Sequence, residues 1–283
     1  MKFIDAHTHL HDRRITTDVP GIVERAENMG VHSMVTCATM EENFQDTADL
    51  AAAYDCILPC FGIHPWFLDT LSQGWVEHLG NWLERIPSGI GETGLDFLER
   101  GADRDLQLEV FKKHLALAID LKRPINIHIR KAWDALIHVL KGYGPLPGGG
   151  LVHSFSGSAD LALLLARYNV SISFSGSVTR PKTKKKIRAL KAASLDRILF
   201  ETDTPDIFPT LDEDQLSAIE AANGKGTGLN EPRFVPAIVE IAARRRGIGF
   251  EEMADHGYNN ALRLFAPLIV EGGANDGEIQ GTP

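Results

Sequence analysis

Cysteine is scarce in this chain, and it has no long apolar run. Three of the 283 residues are cysteine, and Cys37, Cys56 and Cys60 lack the spacing of a zinc finger. We therefore expect buried thiols in a reducing compartment rather than disulfides. No run is apolar enough to span a bilayer, and the N-terminus lacks the basic stretch and apolar h-region of a secretory signal. These features predict a cytoplasmic protein with no membrane partner.

An excess of positive charge is also missing. The formal net charge is -9, with 11 histidines besides. This balance argues against binding duplex DNA over a broad surface, because that mode depends on Lys and Arg neutralising phosphates. It leaves open a deep site in which metal ions supply the positive charge.

Apolar strand-like runs alternate with helical segments along the chain. The eight predicted strands cover residues 3–9, 33–39, 57–63, 89–94, 124–129, 150–153, 170–175 and 197–203. The predicted helices cover residues 19–29, 43–54, 75–85, 104–121, 132–141, 160–168, 182–193, 233–245 and 251–264. Eight such units in this length predict an α/β protein with a (β/α)₈ TIM barrel rather than an open sheet. We expect one barrel domain over residues 1–268 and a flexible tail over 269–283.

The first strand ends in a histidine-rich stretch, FIDAHTHLH over residues 3–11. Strand side chains alternate between faces, so His7 and His9 project from the same side. Taken alone, the pair is ambiguous: it can be half of a metal site, or one core histidine and one surface histidine. The residues at the ends of the other strands distinguish between these two interpretations.

Further polar residues lie at or near the ends of five more predicted strands. They are His64, Glu92, His128, His153 and Asp203. In a (β/α)₈ barrel these strand ends meet at one mouth, where active sites are built. Each residue also has a structural alternative, such as a strand cap for His128 or a helix N-cap for Asp203. The coincidence of so many imidazoles and carboxylates favours a site for divalent metal, with Zn, Mn, Mg, Ni and Fe as candidates.

Two ions suit these residues better than one, because a carboxylate can bridge ions about 3.5–4 Å apart. The first ion would take His7, His9, Glu92 and Asp203, and the second Glu92, His128 and His153. Glu92 and Asp203 are the predicted catalytic residues. Glu92 would bridge the ions that share a water, and Asp203 would accept the proton of that nucleophile.

Seven motifs in order resemble the TatD-type metal-dependent deoxyribonuclease family of the amidohydrolase superfamily. They are FIDAHTHL, GIHPW, IGETGLD, INIHIR, LVHSFSG, ISFSGSVT and ILFETDTP, and the resemblance covers residues 3–265. It implies a metal-bearing TIM barrel that hydrolyses DNA phosphodiesters, often from a 3′ end. The positions that match the family's metal ligands are His7, His9, Glu92, His128, His153 and Asp203.

The chain departs from the family pattern near its last predicted strand. Residues 211–231 form a longer segment than the usual final loop, and we expect this insertion at the barrel mouth. The Asn230-Glu231-Pro232 sequence that ends it resembles an Asn-x-Pro element of the family. His11, a third histidine at the same spacing, stays outside the predicted metal set because the chain should have left the strand there.

Contacts to substrate are predicted from other residues of these motifs and from the basic run that follows the seventh strand. His64 and Arg130 are the candidate substrate-binding residues, and a guanidinium can hold a phosphate through paired N–H groups. The basic run 180–188 is either a solvated helix face or a rim that attracts a nucleic-acid backbone. Trp66 and Phe155 either pack in the fold or stack on a base.

Three functions are therefore compared. The first is a deoxyribonuclease whose substrate is a DNA 3′ end or single strand, with no obligate protein partner. The second is a small-molecule hydrolase acting on a lactone, amide or phosphate ester, because a barrel fold does not determine function. A non-catalytic binding protein is disfavoured, since every expected ligand position is filled.

Overall fold

The computed structural model describes residues 1–98 and 103–269. Apart from residue 269, the predicted tail lies outside the described residues. The division into one domain and a tail therefore stays a prediction.

The described chain contains eight parallel strands that pair in sequence order. They are β1 (Phe3–Thr8), β2 (Val31–Cys37), β3 (Ile57–Phe61), β4 (Gly89–Asp96), β5 (Ile125–Arg130), β6 (Gly150–Val152), β7 (Val170–Phe174) and β8 (Ile198–Phe200). The backbone after β8 returns to β1, where the Asp203 N–H donates to the His7 carbonyl at 3.0 Å and the His9 N–H to the Thr204 carbonyl at 2.8 Å. The predicted TIM barrel is confirmed.

Helices alternate with the strands and continue after the last of them. They are α1 (Val19–Asn28), α2 (Phe44–Ala53), α3 (Trp75–Arg85), α4 (Arg104–Asp120), α5 (Trp133–Tyr143), α6 (Ala159–Ala166), α7 (Lys184–Ala192), α8 (Glu213–Asn223), α9 (Val235–Arg246) and α10 (Phe250–Phe265). None of the helices within the described ranges has both the length and the apolar character needed to cross a membrane.

The alternation of side chains along each strand separates an apolar layer from a polar interior. On β5, Ile125, Ile127 and Ile129 belong to the large apolar cluster shared with the helices. Asn126 and His128, between them, are buried on the opposite face. On β1 and β4 the register shifts between Asp5 and Thr8 and between Ile90 and Thr93, and there His7 and Glu92 turn into the barrel interior.

One end of the barrel interior is closed by apolar packing. Ile4, Leu58 and Leu199 form a second cluster with Phe265 and Leu268 from the end of α10 and the turn after it. Burying these side chains removes apolar surface from water and stabilises the closed barrel. The polar groups are left to the opposite end, at the carboxyl termini of the strands.

Strand β8 ends at Phe200, three residues before its predicted end. Asp203 has a φ of +62°, which is incompatible with strand geometry for a residue that carries a side chain. The chain turns here and carries the Asp203 carboxylate towards β1.

Candidate metal centre

A cavity of about 670 Å³ opens at the carboxyl ends of the strands. Its lining includes His9, His64, Glu92, His128, His153 and Asp203. His7 lies behind these residues and is fully buried. The structure thus brings together all the predicted ligand positions and His64, from β1, β4, β5 and the segments that follow β1, β3, β6 and β8.

His7 and His9 form the first group in this cavity. Their Nε2 atoms lie 3.1 Å apart. The Glu92 Oε2 lies 3.5 Å from the His7 Nε2 and 3.3 Å from that of His9. The Asp203 Oδ1 is 3.6 Å from both nitrogens. Two imidazoles therefore face two carboxylates across a gap of atomic size.

The second group surrounds the other oxygen of Glu92. The Glu92 Oε1 lies 2.8 Å from the His153 Nε2 and 2.9 Å from the His128 Nδ1. These two nitrogens are 3.2 Å apart, and the His64 Nε2 is 3.5 Å from the same oxygen. Glu92 thus offers one oxygen to each group of histidines.

The donor set fits divalent metal ions. Two ligands on one ion, each about 2.0–2.2 Å from it, lie roughly 2.8–3.6 Å apart in geometries from octahedral to tetrahedral. The separations within both groups are close to that range. Three overlapping sets of ligand atoms converge within 4.8 Å: His7, His153 and Asp203; His7, His9 and Glu92; and His64, Glu92 and His128.

Polar groups behind His7 and His9 orient their rings. The Nδ1 of His7 is 3.1 Å from the Asn126 Oδ1, and the Nδ1 of His9 is 2.8 Å from the Cys37 carbonyl oxygen. Each oxygen accepts a hydrogen bond from the Nδ1–H, so the lone pair of Nε2 is available to bind a metal ion. Such pairing determines the tautomer and ring orientation of metal-binding histidines.

Carboxylates stand behind the other two histidines. The Asp96 Oδ2 is 3.4 Å from the His128 Nε2, and the Glu201 Oε1 is 3.7 Å from the His153 Nδ1. Neither nitrogen has a hydrogen bond within the described residues. Asp96 and Glu201 are not among the site residues predicted from the sequence. Glu201 lies two residues before Asp203, so strand alternation was a usable signal for it.

Electrostatics keep the carboxylates of the centre ionised. Burial raises the pKa of Glu92, but the imidazoles of His153 and His7 and a hydrogen bond from His128 outweigh it and place the pKa well below its usual range. Burial also lowers the pKa of His9, but Asp203 and Glu92 raise it to about 10. Opposite charges in close contact thus dominate this end of the barrel.

The pKa of His64 is shifted in the direction opposite to that of His9. Burial lowers its pKa well below the usual range, and the neighbouring imidazoles of His128 and His153 act in the same direction. His64 is therefore neutral at physiological pH. Its Nδ1 accepts from the Trp66 backbone N–H at 3.1 Å, so its Nε2 carries the proton and can donate one hydrogen bond.

The remaining predicted substrate residues lie at the rim. Arg130 is half exposed, and its Nη1 is 3.6 Å from the Asp96 Oδ2. Trp66 is 46% exposed, and its indole N–H donates to the same Asp96 oxygen at 2.7 Å. Phe155 is buried against Trp133, so packing is its role. Trp66 keeps a ring face open to the cavity region.

His11 lies beside the centre without joining it. It is buried, with its ring centroid 5.8 Å from that of His9. Burial, with the nearby charge of His9, lowers its pKa to about 3. It contributes to none of the convergent ligand sets in the described chain.

No residue of the insertion lines the cavity, and only its end, at Asn230, contacts the mouth segment through the Thr202 and Asp206 carbonyls. The insertion contains helix α8, whose Leu216 and Ile219 pack with Phe234 and Ala237. These apolar side chains draw the helix against α9 instead of over the strand ends. Asn230 anchors the end of the segment by donating to the Thr202 carbonyl at 2.7 Å.

The basic run divides into two parts. Arg180 and Lys186 line the cavity. Lys182, Lys184 and Lys185 are exposed and supply nothing to its lining. Part of the run therefore faces the site, and part faces solvent.

The chain is similar to known proteins over almost its whole length. A family model described as TatD related DNase matches residues 4–266. The chain is 32% identical over 264 residues to the uncharacterized metal-dependent hydrolase YabD of Bacillus subtilis, covering 92% of this chain and 98% of the relative. It is 28% identical over 270 residues to the 3′-5′ ssDNA/RNA exonuclease TatD of Pantoea vagans, covering 92% and 98%.

The fold of the chain also matches a solved structure. The crystal structure of YjjV, a TatD homologue from Escherichia coli, superimposes with a TM-score of 0.83 at 29% identity. The match covers 93% of this chain and 98% of that one. The family model spans nearly the whole barrel, including every residue of the candidate centre. This chain belongs to the TatD-related DNase family.

Proposed function

We propose that this chain is a metal-dependent hydrolase that cleaves DNA phosphodiesters from a 3′ end with a metal-activated water. The observation that carries the proposal is the position of Glu92, which directs one carboxylate oxygen to each of two histidine groups. A bridging carboxylate is a feature of two-metal sites that catalyse in-line displacement at phosphorus. The name of the exonuclease relative supports DNA as the substrate.

The residues divide into two sets of ligands. His7, His9, Glu92 and Asp203 would hold one ion, and Glu92, His128 and His153 the other. Bound ions would lower the pKa of a water and polarise a phosphoryl oxygen. Asn126, Asp96 and Glu201 would keep the imidazoles in the tautomers that this arrangement needs.

Asp203 is the proposed proton acceptor. Burial raises its pKa, but His9 and the nearby imidazoles of His153 and His7 outweigh burial and hold it below the usual range. The carboxylate is thus ionised at neutral pH and can accept the proton of the attacking water. Its position between the first histidine pair and the cavity suits both metal binding and proton transfer.

The cavity suits a nucleotide beside the metals. Its volume of about 670 Å³ falls in the range of small-molecule sites, about 300–1,000 Å³. Arg130 and the neutral His64 can hydrogen-bond a phosphate oxygen, and Trp66 can stack on a base. Cys37, Cys56 and Cys60 are all free, which supports a cytoplasmic location.

The test is an activity panel after metal stripping and reconstitution. The stripped protein, loaded in turn with Zn, Mn, Mg, Ni or Fe, is given single-stranded DNA, duplex DNA, RNA, lactones and phosphate esters. We expect hydrolysis of single-stranded DNA that chelator abolishes and metal restores. Asp203→Asn should abolish it as well.

Two results would count against this proposal. Turnover of a lactone or phosphate ester without any turnover of DNA would establish the small-molecule alternative. Full phosphodiesterase activity of metal-loaded Asp203→Asn would show that the proposed proton acceptor is wrong.

A further inference from the structure

Four arginine and lysine side chains of the described residues line the cavity, and they differ in how their charge is neutralised. Arg14 donates to Asp12 and Asp206, each at 2.8 Å. Arg130 lies 3.6 Å from Asp96. Two of the four thus have carboxylates beside them, so their charge is largely compensated.

Arg180 and Lys186 have no close ion pair with a described residue, and the Glu201 and Asp203 carboxylates act on Lys186 only from a longer distance. Within the described residues, no carboxylate oxygen lies within 4.0 Å of either side chain's nitrogens. Lys186 is partly buried, while the other lysines at the start of α7 are exposed. The excess positive charge of the mouth is therefore concentrated beside β7.

Hydroxyl groups link this lysine to the metal centre. The Lys186 ammonium donates to the Ser177 Oγ at 2.5 Å. The Ser175 Oγ is 2.8 Å from that of Ser177 and 2.9 Å from that of Ser154. Ser154 directly follows His153, so the chain of hydroxyls ends beside a proposed ligand.

The stability of the fold gives no reason for a lysine at position 186. Burial lowers the pKa of Lys186 to about 8, so keeping it charged at neutral pH opposes folding. An anion bound against the ammonium would remove this cost. Three cavity serines, Ser154, Ser156 and Ser177, supply further donors on the same side.

We propose that Arg180, Lys186, Ser154, Ser156 and Ser177 form a second phosphate site. It holds the phosphate next to the scissile one in a nucleic-acid strand, while the metal centre holds the scissile phosphate. The inference rests on the proposed phosphodiesterase activity and adds a requirement for a strand with more than one phosphate. Ammonium, guanidinium and hydroxyl donors around one space are the chemistry that recognises a phosphate.

The test compares two thymidine trinucleotides. One carries two phosphates, and in the other the phosphate nearer the 5′ end is an uncharged methylphosphonate. For the metal-loaded wild type we expect the methylphosphonate to raise KM about ten- to hundredfold, the value of a hydrogen bond to a charged group. In Lys186→Met, KM for the two-phosphate substrate should rise by a similar factor, and the difference between the substrates should disappear.

Two further variants separate charge from structure. Lys186→Arg keeps the cation and should retain much of the discrimination. Lys191→Met removes the same charge from an exposed position on the same helix and should discriminate as the wild type does.

Three results would overturn the inference. In one, Lys186→Met discriminates between the substrates as strongly as the wild type. In another, it loses kcat equally on both, which is the mark of a structural role. In the third, metal-loaded wild type cleaves neither substrate, so that the proposed function fails first and the second phosphate site with it.

Discussion

Replacement of Glu92 by glutamine is the sharpest perturbation of the proposed centre. The change keeps the side chain's shape but removes its charge and one of its two acceptor oxygens. The Oε1 of Glu92 lies 2.8 Å from the His153 Nε2, and its Oε2 lies 3.3 Å from the His9 Nε2. A glutamine can present an oxygen to one group only, so the other must face an NH₂ group.

This geometry predicts how far the metal content and kcat of Glu92→Gln should fall. Glu92→Gln should bind at least one ion fewer per chain than the wild type. The Lewis acidity of a catalytic ion contributes several kcal/mol of transition-state stabilisation. At about 1.4 kcal/mol per tenfold change in rate, its loss should lower kcat by about a thousandfold.

The assay combines metal content, measured by plasma mass spectrometry, with kcat for single-stranded DNA at saturating metal. Glu109→Gln is the matched control, because Glu109 is an exposed glutamate on α4. Circular dichroism checks that both variants fold. A Glu92→Gln protein that keeps two ions and a kcat within about tenfold of the wild type would refute the bridging role.

Three other predictions concern groups around and beyond the centre. Neutralising the exposed Lys182, Lys184 and Lys185 should weaken binding of single-stranded DNA and reduce the slope of log K against log salt by about 2, and an unchanged slope would make them a solvated face. Glu201→Gln should lower metal affinity about 10–100-fold in a competition titration while the fold is kept; unaltered affinity would show that this carboxylate does not support the centre. His114 is buried, and burial lowers its pKa from 6.5 to about 4, so the unfolded chain binds more protons in that window and the free energy of unfolding should fall as the pH falls from 6.5 to 4. Denaturant titrations of His114→Gln should show a smaller fall, and an equal fall would assign the loss to other groups.

The barrel could be predicted from the sequence because its signals are local. Apolar runs separated by helical segments indicate the βα unit, and alternation along a strand determines which face each residue occupies. On β5 this alternation is enough to place Asn126 and His128 inside the barrel. Parallel strands bring the strand ends with His7, Glu92 and Asp203 to one mouth. The register shifts in β1 and β4 and the turn at Asp203 then direct these side chains inward.

Other features were decided only by tertiary packing. The apolar side chains of α8 pack against Phe234, and no local sequence pattern reveals this contact. The insertion therefore does not line the cavity. Lys186 looks like its neighbours in a run of lysines, and only the position of α7 beside Ser177 turns its ammonium inward. A long lysine side chain can point in several directions, whereas a side chain in a strand can face only one of the two sides of the sheet. The sequence by itself therefore determines the barrel and the positions of the histidines and carboxylates at its mouth, and the packing of helices around the barrel decides which charges face the substrate.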